Sequence, residues 1–128
     1  MDKNNMHHVY ELFRELDNYF QLGIYIDDWN NASLVVNFND NGFSSWGELS
    51  LNDYSYKKLK NDFSKFLKNK INFIRVNDDD SNEYYFSIER KDKYLHIEGI
   101  MGNYVDHFIK YSFCYLEDTI ELFKLNFI

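Results

Sequence analysis

The hydrophobic positions begin at helical spacing and then switch to alternation. Val9, Leu12, Phe13, Leu16 and Phe20 recur at intervals that predict a short first helix, although the bulky stretch 7–16 also fits a strand. Leu22, Ile24 and Ile26 then alternate with Gly23 and Tyr25 up to the Asp27-Asp28 break. Leu34, Val36 and Phe38 alternate with Val35 and Asn37, and Asn39-Asp40-Asn41-Gly42 supplies turn residues. Gly47, Leu49 and Leu51 resume the pattern, with Trp46, Glu48 and Ser50 on the opposite face, so residues 33–51 read as a β-hairpin.

After Asn52-Asp53, a natural N-cap, Tyr56, Leu59, Phe63, Phe66 and Leu67 fall on one side of a helix and Lys57, Lys58, Lys65 and Lys68 on the other. Strands are expected over 71–77, 83–91, 94–101 and 107–115, divided by an acidic loop at 77–82 and a Lys91-Asp92-Lys93 turn. Asp118-Thr119-Ile120-Glu121 matches a capping box, with Leu116, Ile120, Phe123 and Phe127 as the stripe of a last helix. The expected order is αβββαββββα. Short turns impose antiparallel pairing, so the expectation is an α+β fold: a mostly antiparallel sheet with amphipathic helices packed on one face. No repeat or linker divides the chain, and residues 1–128 read as one domain.

Composition adds less than it first suggests. The 12 Phe, 11 Tyr and 16 Asn, beside one Ala and no Pro, follow the codon preference of an A/T-rich genome. One cysteine, Cys114, allows neither an internal disulfide nor a Cys-rich zinc site, and its apolar neighbours Phe113, Tyr115 and Leu116 suggest a core position. The N-terminus lacks the apolar core of a signal peptide and no stretch approaches a membrane span, so a cytoplasmic protein is expected, with no membrane partner.

Candidate chemistry is sparse. His7 and His8 are adjacent and His96 and His107 are isolated, which is poor spacing for a metal. Asp78-Asp79-Asp80 lacks the Gly and Glu that a calcium loop requires. No nucleophile elbow, phosphate-binding loop or dinucleotide fingerprint is present. The expectation is therefore no catalytic residue, no metal and no cofactor.

Charge is more informative. The formal net charge is −7, which opposes nucleic acid and favours a basic partner. It is unevenly spread. Residues 27–53 carry five acids and no Lys or Arg, residues 57–75 carry seven bases and one acid, and residues 78–83 carry four acids and no base. Trp29 follows Asp27-Asp28, and Trp46 shares a face with Glu48. Aromatic anchors flanked by carboxylates suit capture of a basic protein, with the acids steering its approach. The candidate contacts are Asp27, Asp28, Trp29, Asp40, Trp46 and Glu48, with Asp78, Asp79, Asp80 and Glu83 as a second acidic patch.

Some local patterns are also familiar. Phe43-Ser44-Ser45-Trp46-Gly47-Glu48-Leu49 precedes the helix, which carries Leu59, Phe63, Phe66 and Leu67; Leu95-His96-Ile97-Glu98-Gly99 follows, then Tyr111-Ser112-Phe113 and Leu116-Glu117-Asp118-Thr119-Ile120. Over about residues 20–125 this order resembles the WapI-like immunity proteins of bacterial polymorphic toxin systems. The resemblance implies a non-enzymatic cytoplasmic protein that binds one cognate toxin domain, often a basic nuclease, and occludes it. Two other readings stand beside it. One is a small-molecule-binding or enzymatic α+β domain; the other is a homo-oligomeric protein, such as a homodimer that covers Trp46.

Overall fold

The hairpin expected over 33–51 forms from Ala32–Asp40 (β3) and Phe43–Leu51 (β4), in register from Ala32↔Leu51 to Asp40↔Phe43. Its loop is Asn41-Gly42, with φ of 52° and 87°. Positive φ at both loop positions twists the turn in the sense of the strands it joins, and Gly and Asn reach it at least cost. These coordinates are a computed structural model, which describes residues 6–15, 17–103 and 107–116.

Asn18–Ile26 (β2) pairs with β3 without interruption, and Met6–Glu15 (β1) pairs with β2. The first helix is thus overturned in favour of the alternative strand reading: Val9, Leu12 and Phe13 lie in β1 and Phe20 in β2. The physical reason lies in the register. Shifts between His7 and Tyr10, and again between Glu11 and Phe13, each insert an extra residue into β1. Such bulges interrupt a two-residue period, so a bulged strand can imitate helical spacing.

Asp53–Leu67 forms the expected helix (α1). The Asn52 side chain caps it by accepting from the Ser55 N–H at 2.8 Å. Four strands follow as a second meander: Phe73–Asn77 (β5), Tyr85–Lys91 (β6), Tyr94–Asn103 (β7) and His107–Leu116 (β8). The two meanders join where Glu48 of β4 meets Gly102 of β7, giving an eight-stranded sheet with the path β1-β2-β3-β4-β7-β6-β5 and β8 on the far edge of β7.

The sheet curls into a half-barrel, and this overturns the α+β expectation. Among the described residues there are eight strands and one helix, so the fold is mostly antiparallel β rather than a sheet layered with helices. The expected C-terminal helix lies outside the described residues. Leu116, assigned to its buried stripe, instead ends β8 and is exposed.

Curling brings the inner face of β8 against β2 and β3. Phe20, Phe38, Tyr111 and Phe113 pack there with ring centroids 5.1–6.1 Å apart. Phe20, Phe38 and Tyr111 are buried and Phe113 partly so; a fully buried side chain of this size contributes about 1.5–3 kcal/mol of hydrophobic transfer, so these aromatics become core. Gly47 is where β4 comes closest: a Cβ there would lie 2.9 Å from Met101 Cβ and from the Ile109 side chain. The helix closes the other side, sinking Leu59, Phe63 and Phe66 into the same core as Ile74, Val76, Phe86 and Ile88.

Arg90 fastens the end of that helix. Its guanidinium lies 4.1 Å from the centre of the Phe66 ring and donates to the carbonyls of Phe66 and Ile71 and to the Asn72 side chain. The last carbonyls of a helix lack partners within it, and a cation there also meets the negative end of the helix dipole.

Candidate functional site

The acid-bearing segments converge at one end of the half-barrel. β2 ends at Ile26, which pairs with Ala32, and Ala32 pairs with Leu51 on its other side. The turn 27–31 and the start of α1 therefore sit about one strand spacing (~5 Å) apart. The acidic loop after β5 joins them through Ser50. The Ser50 N–H donates to Asp78 Oδ2 at 2.9 Å, and the Asp79 N–H donates to the Ser50 carbonyl at 3.1 Å. The Ser55 hydroxyl, in the first turn of α1, donates to Asp79 Oδ1 at 3.1 Å.

Asp27, Asp28, Asp53, Asp78, Asp79, Asp80 and Glu83 thus share this end, and no Lys or Arg occurs in segments 27–31, 52–55 or 78–84. Two large aromatics project from it: Trp29 is 83% exposed and Tyr54 74%.

Several of these carboxylates also build the loops that carry them. Asp27 Oδ1 accepts from the backbone of Trp29 and of Asn31, both at 2.8 Å, and Asn31 Nδ2 donates to Oδ2. The Asn31 backbone bond is the leading reason that the Asp27 carboxyl is held below its ordinary range. With Asn30 at φ 62°, this turn presents Trp29 outward. Asp78 Oδ1 likewise accepts from the N–H groups of Asp80 and Ser81. Asp28, Asp80 and Glu83 are exposed, as is the Asp53 that opens the helix.

The candidate set is therefore divided. Asp27, Asp28, Trp29, Asp78, Asp79, Asp80 and Glu83 come together, merging what the sequence had as two patches. Asp40 lies at the opposite end of the hairpin, about 26 Å away along β3. Trp46 and Glu48 are half-buried on the outer face of β4. The Trp46 carbonyl accepts from the Asn103 side chain at 2.6 Å, so this part of β4 is tied to the end of β7.

Asp53 and Tyr54 were missed as site residues. The hairpin register was the available signal, because pairing Ala32 with Leu51 already sets the start of the helix next to the turn that leads into β3. The proximity of Asp78 had no sequence signal, since only the curl of the sheet creates it.

Other features stand apart. Cys114 is exposed rather than in the core, because β8 turns Ile109, Tyr111, Phe113 and Tyr115 inward and the intervening residues outward. Its Sγ lies 4.0 Å from His96 Nε2 on the neighbouring strand. Among the described residues no group of three or more His, Cys, Asp or Glu side chains has the arrangement of a metal site. No helix there is long and apolar enough to cross a membrane. No protein-family model matches the chain, and no curated protein matches it either.

Proposed function

We propose that this protein binds a basic partner protein through its acidic end and, in the role implied by the resemblance to WapI-like immunity proteins, neutralises a cognate toxin domain by occlusion. The observation that carries the reading is the gathering of seven carboxylates from three separate segments around exposed Trp29 and Tyr54. Interface hot spots favour such aromatics at the centre of a polar rim, and complementary charge accelerates encounter. A nuclease-type toxin, basic where it meets phosphate, would be matched in charge and covered in one step. The protein itself then performs no catalysis, requires no cofactor and acts in the cytoplasm.

The test is co-expression with the C-terminal domain of the polypeptide encoded immediately upstream. Wild-type protein should protect cells and co-purify with that domain. The variant Asp28→Lys/Trp29→Ala/Asp80→Lys should do neither, with its melting temperature unchanged, because none of these side chains is a structural acceptor in its loop. Full protection by the triple variant would falsify the assignment of this surface.

A further inference from the structure

The edge of β5 has the geometry of an unfinished sheet. Among the described residues, β5 pairs with β6 alone. The Arg90 N–H donates to the Asn72 carbonyl at 2.7 Å, and the Asp78 N–H to the Tyr84 carbonyl at 3.0 Å. Antiparallel ladders alternate hydrogen-bonded and non-bonded pairs, so even-numbered residues along β5 face β6. The N–H and C=O groups of Phe73, Arg75 and Asn77 therefore point to the open edge.

Beside that edge runs a groove of about 250 Å³ between β5 and α1, lined by Lys58, Leu59, Asp62, Arg75 and Val76. The charged residues that line it are Lys58, Asp62 and Arg75, and the flanking segment 57–75 holds seven basic residues and one acidic in a protein of net charge −7. Asp62 is already engaged by Lys58 at 2.8 Å.

Side-chain parity specifies what would fit. Ile74 and Val76 face inward, while Phe73, Arg75 and Asn77 are exposed on the outer face. Directly opposed residues of paired strands share a face. An added strand would set one residue against Arg75 on the outer face and send its neighbours inward over Leu59 and Val76. An acidic residue suits the first position and an apolar one the next. A second copy of β5 does not: antiparallel self-pairing centred on this strand opposes Arg75 to Arg75, and like charges so placed repel.

We propose that β5 is a docking edge for an extended segment of a partner protein with alternating acidic and apolar residues, added to the sheet by backbone hydrogen bonds. The groove adjoins the acidic end at Ser55 and Asn77, but the docking edge uses other groups and does not depend on the function proposed for that end.

The experiment titrates the full chain with a fluorescein-labelled peptide of alternating Glu and Val, followed by anisotropy and amide hydrogen exchange. Binding should slow exchange at Phe73, Arg75 and Asn77. N-methylation of alternate peptide amides, in the one phase that faces β5, should weaken binding by at least about tenfold, as loss of backbone bonds requires. A Lys-Val peptide should bind wild type poorly and Arg75→Glu better. Failure of the Glu-Val peptide to bind would overturn the proposal. So would indifference to N-methylation in both phases, or protection located away from β5. Light scattering that shows a dimer abolished by Arg75→Glu would overturn it in favour of a second copy as occupant.

Discussion

Asp27 has two duties that a pH titration can separate. Its carboxylate shapes the turn by accepting from Asn31 and Trp29, and its charge belongs to the acidic end. Because its folded pKa is depressed below the ordinary value of 3.8, the stabilisation is present above that value and is lost as pH falls from there through the lower folded value. Asp27→Ala should therefore lower the melting temperature at neutral pH, and the gap from wild type should close as pH is lowered below that range. A constant gap would show that the carboxylate's charge has no part in the turn. Gly47 carries the opposite kind of constraint. Its missing Cβ leaves room for Met101 and Ile109, so Gly47→Val should cost about 1–3 kcal/mol in denaturant unfolding through overpacking. The alternation in β4 already put Gly47 on the inner face, but nothing local revealed that another strand crosses so near.

At the scale of elements, α1 and the β3–β4 hairpin were legible because each is specified by short-range chemistry. A cap, an apolar stripe and opposed lysines mark the helix; strict alternation and Asn41-Gly42 mark the hairpin. β1 was misread because its bulges erase the very period that identifies a strand. The role of Arg90 was invisible for a different reason: its partners lie 18 to 24 residues away, at the far end of the helix and in the following connection. Arg90→Lys keeps the charge but loses the planar group that reaches two carbonyls and stacks on Phe66. It should destabilise the protein by about 1–3 kcal/mol, with early hydrogen-exchange loss at the C-terminal turn of α1. Wild-type protection in that turn would assign the anchoring to the apolar stripe alone.

At the scale of the whole molecule, the charge pattern and the buried aromatics make separate predictions. Burial raises the Tyr111 hydroxyl well above its ordinary value and raises Tyr115 as well, with the negative charge of Asp40 adding to the latter. Tyr111 also donates to Met101 Sδ at 3.0 Å. Folded pKa values above the unfolded ones mean that this contribution is intact below about pH 10 and is lost as pH rises further. Alkaline titration should show these tyrosines ionising only as the protein unfolds, in one step by tyrosinate absorbance and circular dichroism. Tyr111→Phe should shift that step to higher pH. The acidic end, in contrast, is a long-range device. Association with the proposed basic partner should slow steeply with added salt while dissociation changes little.

The sequence by itself determined the things that depend on neighbours along the chain. It specified the hairpin and its turn, the helix and its cap, seven of the eight strands, and a charge pattern split between acidic and basic segments. Tertiary structure decided what depends on how far the sheet curls. The curl turned a layered expectation into a half-barrel and set β8 against β2 and β3. It also drew the loop at Asp78 onto Ser50, so that two acidic stretches became one surface, and it left Asp40 behind at the other end. Twist accumulates over many strands and is settled by packing inside the curve, at Gly47 and among Phe20, Phe38, Tyr111 and Phe113. No window along the chain contains those partners together.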